Sequence, residues 1–221
     1  MLKSPHVFPP PHHPFILFGM VTVMQWPVTY FFAAGWIWQG ILYGQLVAIG
    51  VTVSCFLWWQ RPHVHFLFPW HRPHIVTAGV VIGMTLFFAY LTHTGVEWTK
   101  ALFHAPPLFE EQYPELIRLH TWRDGLGKVS LLVLIPALCE EVYFRGVCQT
   151  IFARAYGPRV GLMLAAALFA LSHGNLHYFP LYLLLGGYLG YLRYRGGSLT
   201  WPVLGHAINN AWTLWYHNGN L

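Results

Sequence analysis

Charge is what this chain has least of. Of its 221 residues only 9% are charged, and Asp and Glu together number 7. A soluble domain carries nearer a quarter of charged residues. The scarcity excludes an ordinary soluble domain and any long acidic tail. Cysteine is also sparse: Cys55, Cys139 and Cys148 lie in apolar runs with no Cys-x-x-Cys pair. No disulfide framework is indicated, and all three read as small core residues. There is no His-Glu-x-x-His helix, which removes the zinc-protease chemistry that motif supports. No internal repeat is present, so a transporter built from inverted halves finds no support. The proline-rich start, Met1 to Pro14, lacks a charged leader region and a small-residue cleavage site, so the first apolar span is expected to be retained.

What the chain has instead is apolar length. It is 56% hydrophobic and 18% aromatic. The expected fold class is all-α, a polytopic transmembrane helical bundle of about seven to eight spans of roughly 20 residues each. The spans are expected near Phe15–Ala34, Ile37–Trp59, Ile75–Thr94, Val129–Ala153, Arg159–His173, Phe179–Tyr194 and Leu199–Trp215. Trp26-Pro27 predicts a kink in the first. A basic loop, Arg61–His74, holds four histidines at spacings that match no metal signature. The long polar stretch Gly95–Lys128 holds five of the seven acids, and Glu110–Trp122 within it suits an interfacial helix. Residues 1–128 form N-terminal spans and a long loop, and 129–221 a candidate catalytic core, within one structural domain. The net charge of +5 is spread over loops, which speaks against a nucleic-acid partner and for loop charges that orient the chain. Their distribution places the N-terminus in the cytoplasm, and the expected location is a bacterial inner (cell) membrane. The bilayer is thus one partner, and the oligomeric state is open.

The chain is organised around residues 131–146, where Glu140, Glu141 and Arg145 interrupt an apolar run. A buried charge costs several kcal/mol unless it is paired, and an ionisable group within a membrane span marks a functional site. Glu141 and Arg145 are four apart and share a helix face. Glu140 is turned about 100° away and is left for other partners. One carboxylate is held and one is free to react.

Later spans carry further polar groups at the same spacing. Phe169 and His173 share a face, as do His206 and Asn210. Glu140, His173, His206 and Asn210 can therefore converge from three helices. A carboxylate and an imidazole can hold and deprotonate a water, and His and Asn can donate to a developing oxyanion. Amide hydrolysis suits this set. Each residue alone has a plainer reading: membrane histidines usually satisfy packing, Asn often links helices, and Phe169 is core. Ser172, Cys139 and Cys148 lack a base at a clear offset and rank low as nucleophiles.

Glu140-Glu141-Val142-Tyr143-Phe144-Arg145, then Phe169 to His173, then His206 to Asn210, resemble in order the motifs of the CPBP family of intramembrane proteases. That family includes CAAX prenyl endopeptidases and bacteriocin-processing relatives. The resemblance covers about Val129 to Trp212. It implies an intramembrane endopeptidase of glutamate type acting without a cofactor on a membrane-anchored or membrane-proximal peptide or protein. Glu140 and His173 would activate water, His206 and Asn210 would form the oxyanion hole, and Glu141, Arg145 and Phe169 would support them. A zinc-dependent version, with Glu140, Glu141, His173 and His206 as ligands, is the alternative within the family. Outside it stand a non-catalytic scaffold or immunity protein, and a haem or metal protein using His93, His173 and His206.

Overall fold

A computed structural model describes residues 8–62, 64–102 and 117–219. Among the described residues every regular element is a helix. α1 spans His13–Ala33 and α2 Ile37–Gln60. A short α3, Val64–Leu67, precedes α4, Ile75–Leu102. α5 runs unbroken through residues 122–156. α6 is Pro158–Ser172, α7 Phe179–Gly196 and α8 Thr200–Gly219. The all-α class is borne out, and helix positions follow the apolar runs closely. Two boundaries move into the polar stretch: α5 starts at Trp122, seven residues before Val129, and α4 continues past Thr94, where Lys100 pairs with Glu97 at 3.1 Å one turn along the helix. Most of the expected interfacial helix Glu110–Trp122 lies outside the described residues.

Among the described residues three helices are long and apolar enough to cross a membrane: His13–Phe32, Ile37–Gln60 and Ile75–Lys100. Their outward faces carry large apolar side chains, including Ile75 (84% exposed), Trp26 (79%) and Trp58 (76%). Such a surface suits lipid and would be a liability in water. Pro27 lies inside α1, which continues through it.

α5 is the axis. From Tyr143 to Gln149 every residue is buried, as expected of a helix covered on all sides. It packs on α6 and α8, and α2 lies against its Glu-Glu segment. Its ladder widens to π-helical turns over Val129–Leu134 and Val142–Cys148, flanking Glu140 and Glu141; such widenings are frequent at functional sites. Gly157, at φ +87°, and Pro158 turn the chain from α5 into α6. A Cβ on Gly161 would lie 2.3 Å from the Ala153 backbone nitrogen, so this glycine sets how closely the two helices approach.

Candidate active site

Glu141 and Arg145 are both fully buried, with Arg145 Nη1 donating to Glu141 Oε1 at 2.7 Å. This is the pair the four-residue spacing predicts. Arg145 also donates from Nη2 to the Gly186 carbonyl at 3.0 Å, and one turn on, Gln149 Nε2 donates to the Gly190 carbonyl at 2.9 Å. Side chains of α5 are thus tied to the backbone of α7 at two successive turns. Glycine allows this: a Cβ at 190 would sit 3.2 Å from Gln149 Oε1 and 2.9 Å from Leu162.

The sequence does not show what else Glu141 does. His206 Nδ1 lies 2.7 Å from the same Oε1. The oxygen also bonds a guanidinium, so it accepts and Nδ1–H donates. Glu141 therefore joins α5 to α8 as well as holding Arg145.

Glu140 points elsewhere, as its angular offset requires. Its Oε1 accepts from Gln45 Nε2 of α2 at 2.8 Å. Its Oε2 is buried without a hydrogen-bond partner and lies 4.0 Å from His206 Nε2. That gap is too long for a direct hydrogen bond and is the span a bridging water covers.

His173 caps the C-terminal end of α6, and Gly174 follows at φ +64°, the left-handed geometry that stops the helix there. His173 Nδ1 is 2.8 Å from the Phe169 carbonyl. A carbonyl only accepts, so Nδ1 carries the proton and the lone pair of the neutral ring is on Nε2. Tyr182 of α7 stacks on the imidazole, centroids 3.9 Å apart and planes at 23°.

Phe169 is the hub of these rings. It meets His173 edge-on at 4.7 Å and His206 at 5.8 Å, and the Arg145 guanidinium lies 4.5 Å from its centroid. It is fully buried. Phe169 is thus a core residue that also touches both histidine rings.

His173, His206 and Asn210 open onto one cavity of about 570 Å³ between α4, α7 and α8, within the size range of ligand-binding sites. Four expected site residues thus gather from α5, α6 and α8: three line the cavity, and Glu140 reaches His206 from behind. His93 lines the same cavity, with its ring 3.6 Å from Tyr216. Ser172 Oγ bonds the Phe169 carbonyl at 2.8 Å, and Cys148 is buried. Gln45 and Tyr182 are the site residues that sequence reasoning misses. Neither belongs to a motif, and only the packing of α2 and α7 brings them in.

A metal reading fits these side chains poorly. Glu141 Oε1 is already shared by Arg145 and His206, and among the described residues no group of three or more His, Cys, Asp or Glu is placed to hold an ion.

Residues 122–212 match a family model described as type II CAAX prenyl endopeptidase Rce1-like. No curated protein and no solved structure matches the chain. The matched segment begins at the head of α5 and ends two residues beyond Asn210, so it contains all three motifs in order. Over residues 122–212 this chain is therefore similar to the type II CAAX prenyl endopeptidase Rce1-like family, a match consistent with the CPBP intramembrane-protease motif order.

Proposed function

We propose that the chain is a glutamate-type intramembrane endopeptidase that hydrolyses a peptide bond in a membrane-anchored or membrane-proximal substrate. The observation that carries this reading is the contrast between its two carboxylates. Glu141 is bonded to Arg145 and His206, whereas Glu140 keeps a buried oxygen with no hydrogen-bond partner, 4.0 Å from His206.

In this mechanism a water sits between Glu140 Oε2 and His173 Nε2. Its oxygen attacks the scissile carbonyl carbon as its proton passes to the Glu140–His173 pair. The carbonyl oxygen becomes an oxyanion facing His206 and Asn210 from the cavity side. With Nδ1–H committed to Glu141, His206 donates from Nε2 only as the imidazolium. In that form Glu140, Glu141, Arg145 and His206 sum to zero charge, so no unbalanced charge is buried. Collapse of the intermediate breaks the C–N bond. The proton taken from water goes to the leaving nitrogen, so one water is consumed and two termini form. Each residue so placed contributes through position and charge, with no bound metal in the route.

The finer setting is part of the proposal: about seven to eight spans, a bacterial inner membrane and a cytoplasmic N-terminus. The test is a comparison of protein termini in host membranes carrying the wild type or Glu140→Gln. New termini are expected only with the wild type, with a loss of about 100- to 10,000-fold in the variant, the range that general acid–base groups supply. Identical termini from both folded proteins would turn the reading to a non-catalytic scaffold.

A further inference from the structure

The hydrogen bond to Glu140 comes from the half of the chain that the family match does not reach. Gln45 lies on α2, 95 residues before Glu140, and donates from Nε2 to Glu140 Oε1 at 2.8 Å. It sits in the π-helical stretch Tyr43–Val51, and α2 packs directly on the Glu-Glu segment of α5.

We infer that Gln45 is a positioning residue for Glu140, and that the N-terminal half of the chain thereby completes the catalytic centre. The inference rests on the proteolytic reading proposed above. A carboxylate turns broadly about its last torsion, so without a fixed donor its two oxygens exchange places. The Gln45 amide pins Oε1 and leaves Oε2 turned toward His206 at 4.0 Å. The two glutamates differ in what holds them. Glu141 is held by a cation, Arg145; Glu140 is held by a neutral amide, which orients it and leaves its negative charge for the reaction. Among the described residues the other ionisable groups around Glu140 are Cys139 and Glu141 on α5, Arg145 one turn on, His173 of α6 and His206 of α8. None of these has a hydrogen bond to Oε1, which leaves that task to Gln45.

Gln45→Met keeps the length of the side chain and removes the amide; Gln45→Leu replaces it if the first variant does not purify as a folded protein. Two readouts are taken on the full chain. The first is the antisymmetric carboxylate stretch of Glu140, isolated as the infrared difference between each protein and the same protein carrying Glu140→Gln. The second is the rate at which Glu140-dependent termini appear in host membranes. Gln45→Met is expected to move and broaden the band and to slow the appearance of termini about 10- to 100-fold, the scale of a reacting group misplaced by an ångström. An unmoved band overturns the inference whatever the rate. So does a moved band with a wild-type rate. If the wild type itself produces no Glu140-dependent termini, the proteolytic reading fails and the positioning role falls with it; failure confined to the Gln45 variants leaves the proteolytic reading standing.

Discussion

Arg145 shows how tightly single residues are committed at this site. Its guanidinium is fully buried, bonded to Glu141 Oε1 and the Gly186 carbonyl, and laid over Phe169. Removing one partner of a buried ion pair leaves the other charge uncompensated, at a cost of about 3–5 kcal/mol. Arg145→Met is expected to destabilise the detergent-solubilised protein by that amount in equilibrium unfolding. The double variant Arg145→Met with Glu141→Gln should recover most of the loss, because no lone charge remains and the amide oxygen of Gln can still accept from His206. A double variant as unstable as the single one would show that packing of the guanidinium over Phe169, and not charge pairing, dominates.

Helix contacts are set by glycine and by capping. The Cβ that Gly161→Ala adds would strike the Ala153 backbone, which cannot swing aside as a side chain can. The variant is expected to lose about 1–3 kcal/mol, as overpacked cores do, and to lower the melting temperature in detergent. The head of α5 is held differently. Thr121 accepts from the Asp124 backbone N–H at 3.1 Å, and Asp124 Oδ2 accepts from the His120 N–H and from Lys128, each at 3.1 Å. These two side chains satisfy orphan donors at a helix start in the manner of a capping box. The Asp124 carboxyl is held below the usual carboxylate range, chiefly by the His120 N–H and then by Lys128. A lowered folded value means that the stabilisation is complete above the unfolded value, about 3.9, and is lost as pH falls through the lower folded value. The melting-temperature gap between wild type and Asp124→Asn should therefore be full at neutral pH and close in strong acid; a gap unchanged in acid would argue against this cap.

At the scale of the molecule, apolar side chains lie on both the inside and the outside. Phe87, near the middle of α4, is 65% exposed, an arrangement that only a lipid surround makes favourable. Phe87→Arg is expected to disfavour membrane insertion of this helix by about 3 kcal/mol on insertion scales, read with a glycosylation reporter fused after the helix. A soluble surface would tolerate the same change, so unaffected insertion would remove α4 from the set of spans. The polar centre is placed oppositely. Glu140, Glu141, Arg145 and His206 lie inside the bundle, and the cavity is lined by His173 and His206 while Glu141 and Arg145 stay outside its lining.

Local spacing carried a large share of this protein in the sequence alone. Scarce charge and long apolar runs determine an all-α membrane bundle, because a backbone in lipid must satisfy its own hydrogen bonds. The four-residue offsets determine that Glu141 meets Arg145 and that Phe169 and His173 lie on one face, because both follow from the pitch of a single helix. Contacts between helices have no such period. That Glu141 also binds His206, that Tyr182 stacks on His173, and that Gln45 reaches Glu140 from the first half of the chain were decided by how the helices pack. Spacing along one helix says which way a side chain points. Only the tertiary structure says what is there to meet it.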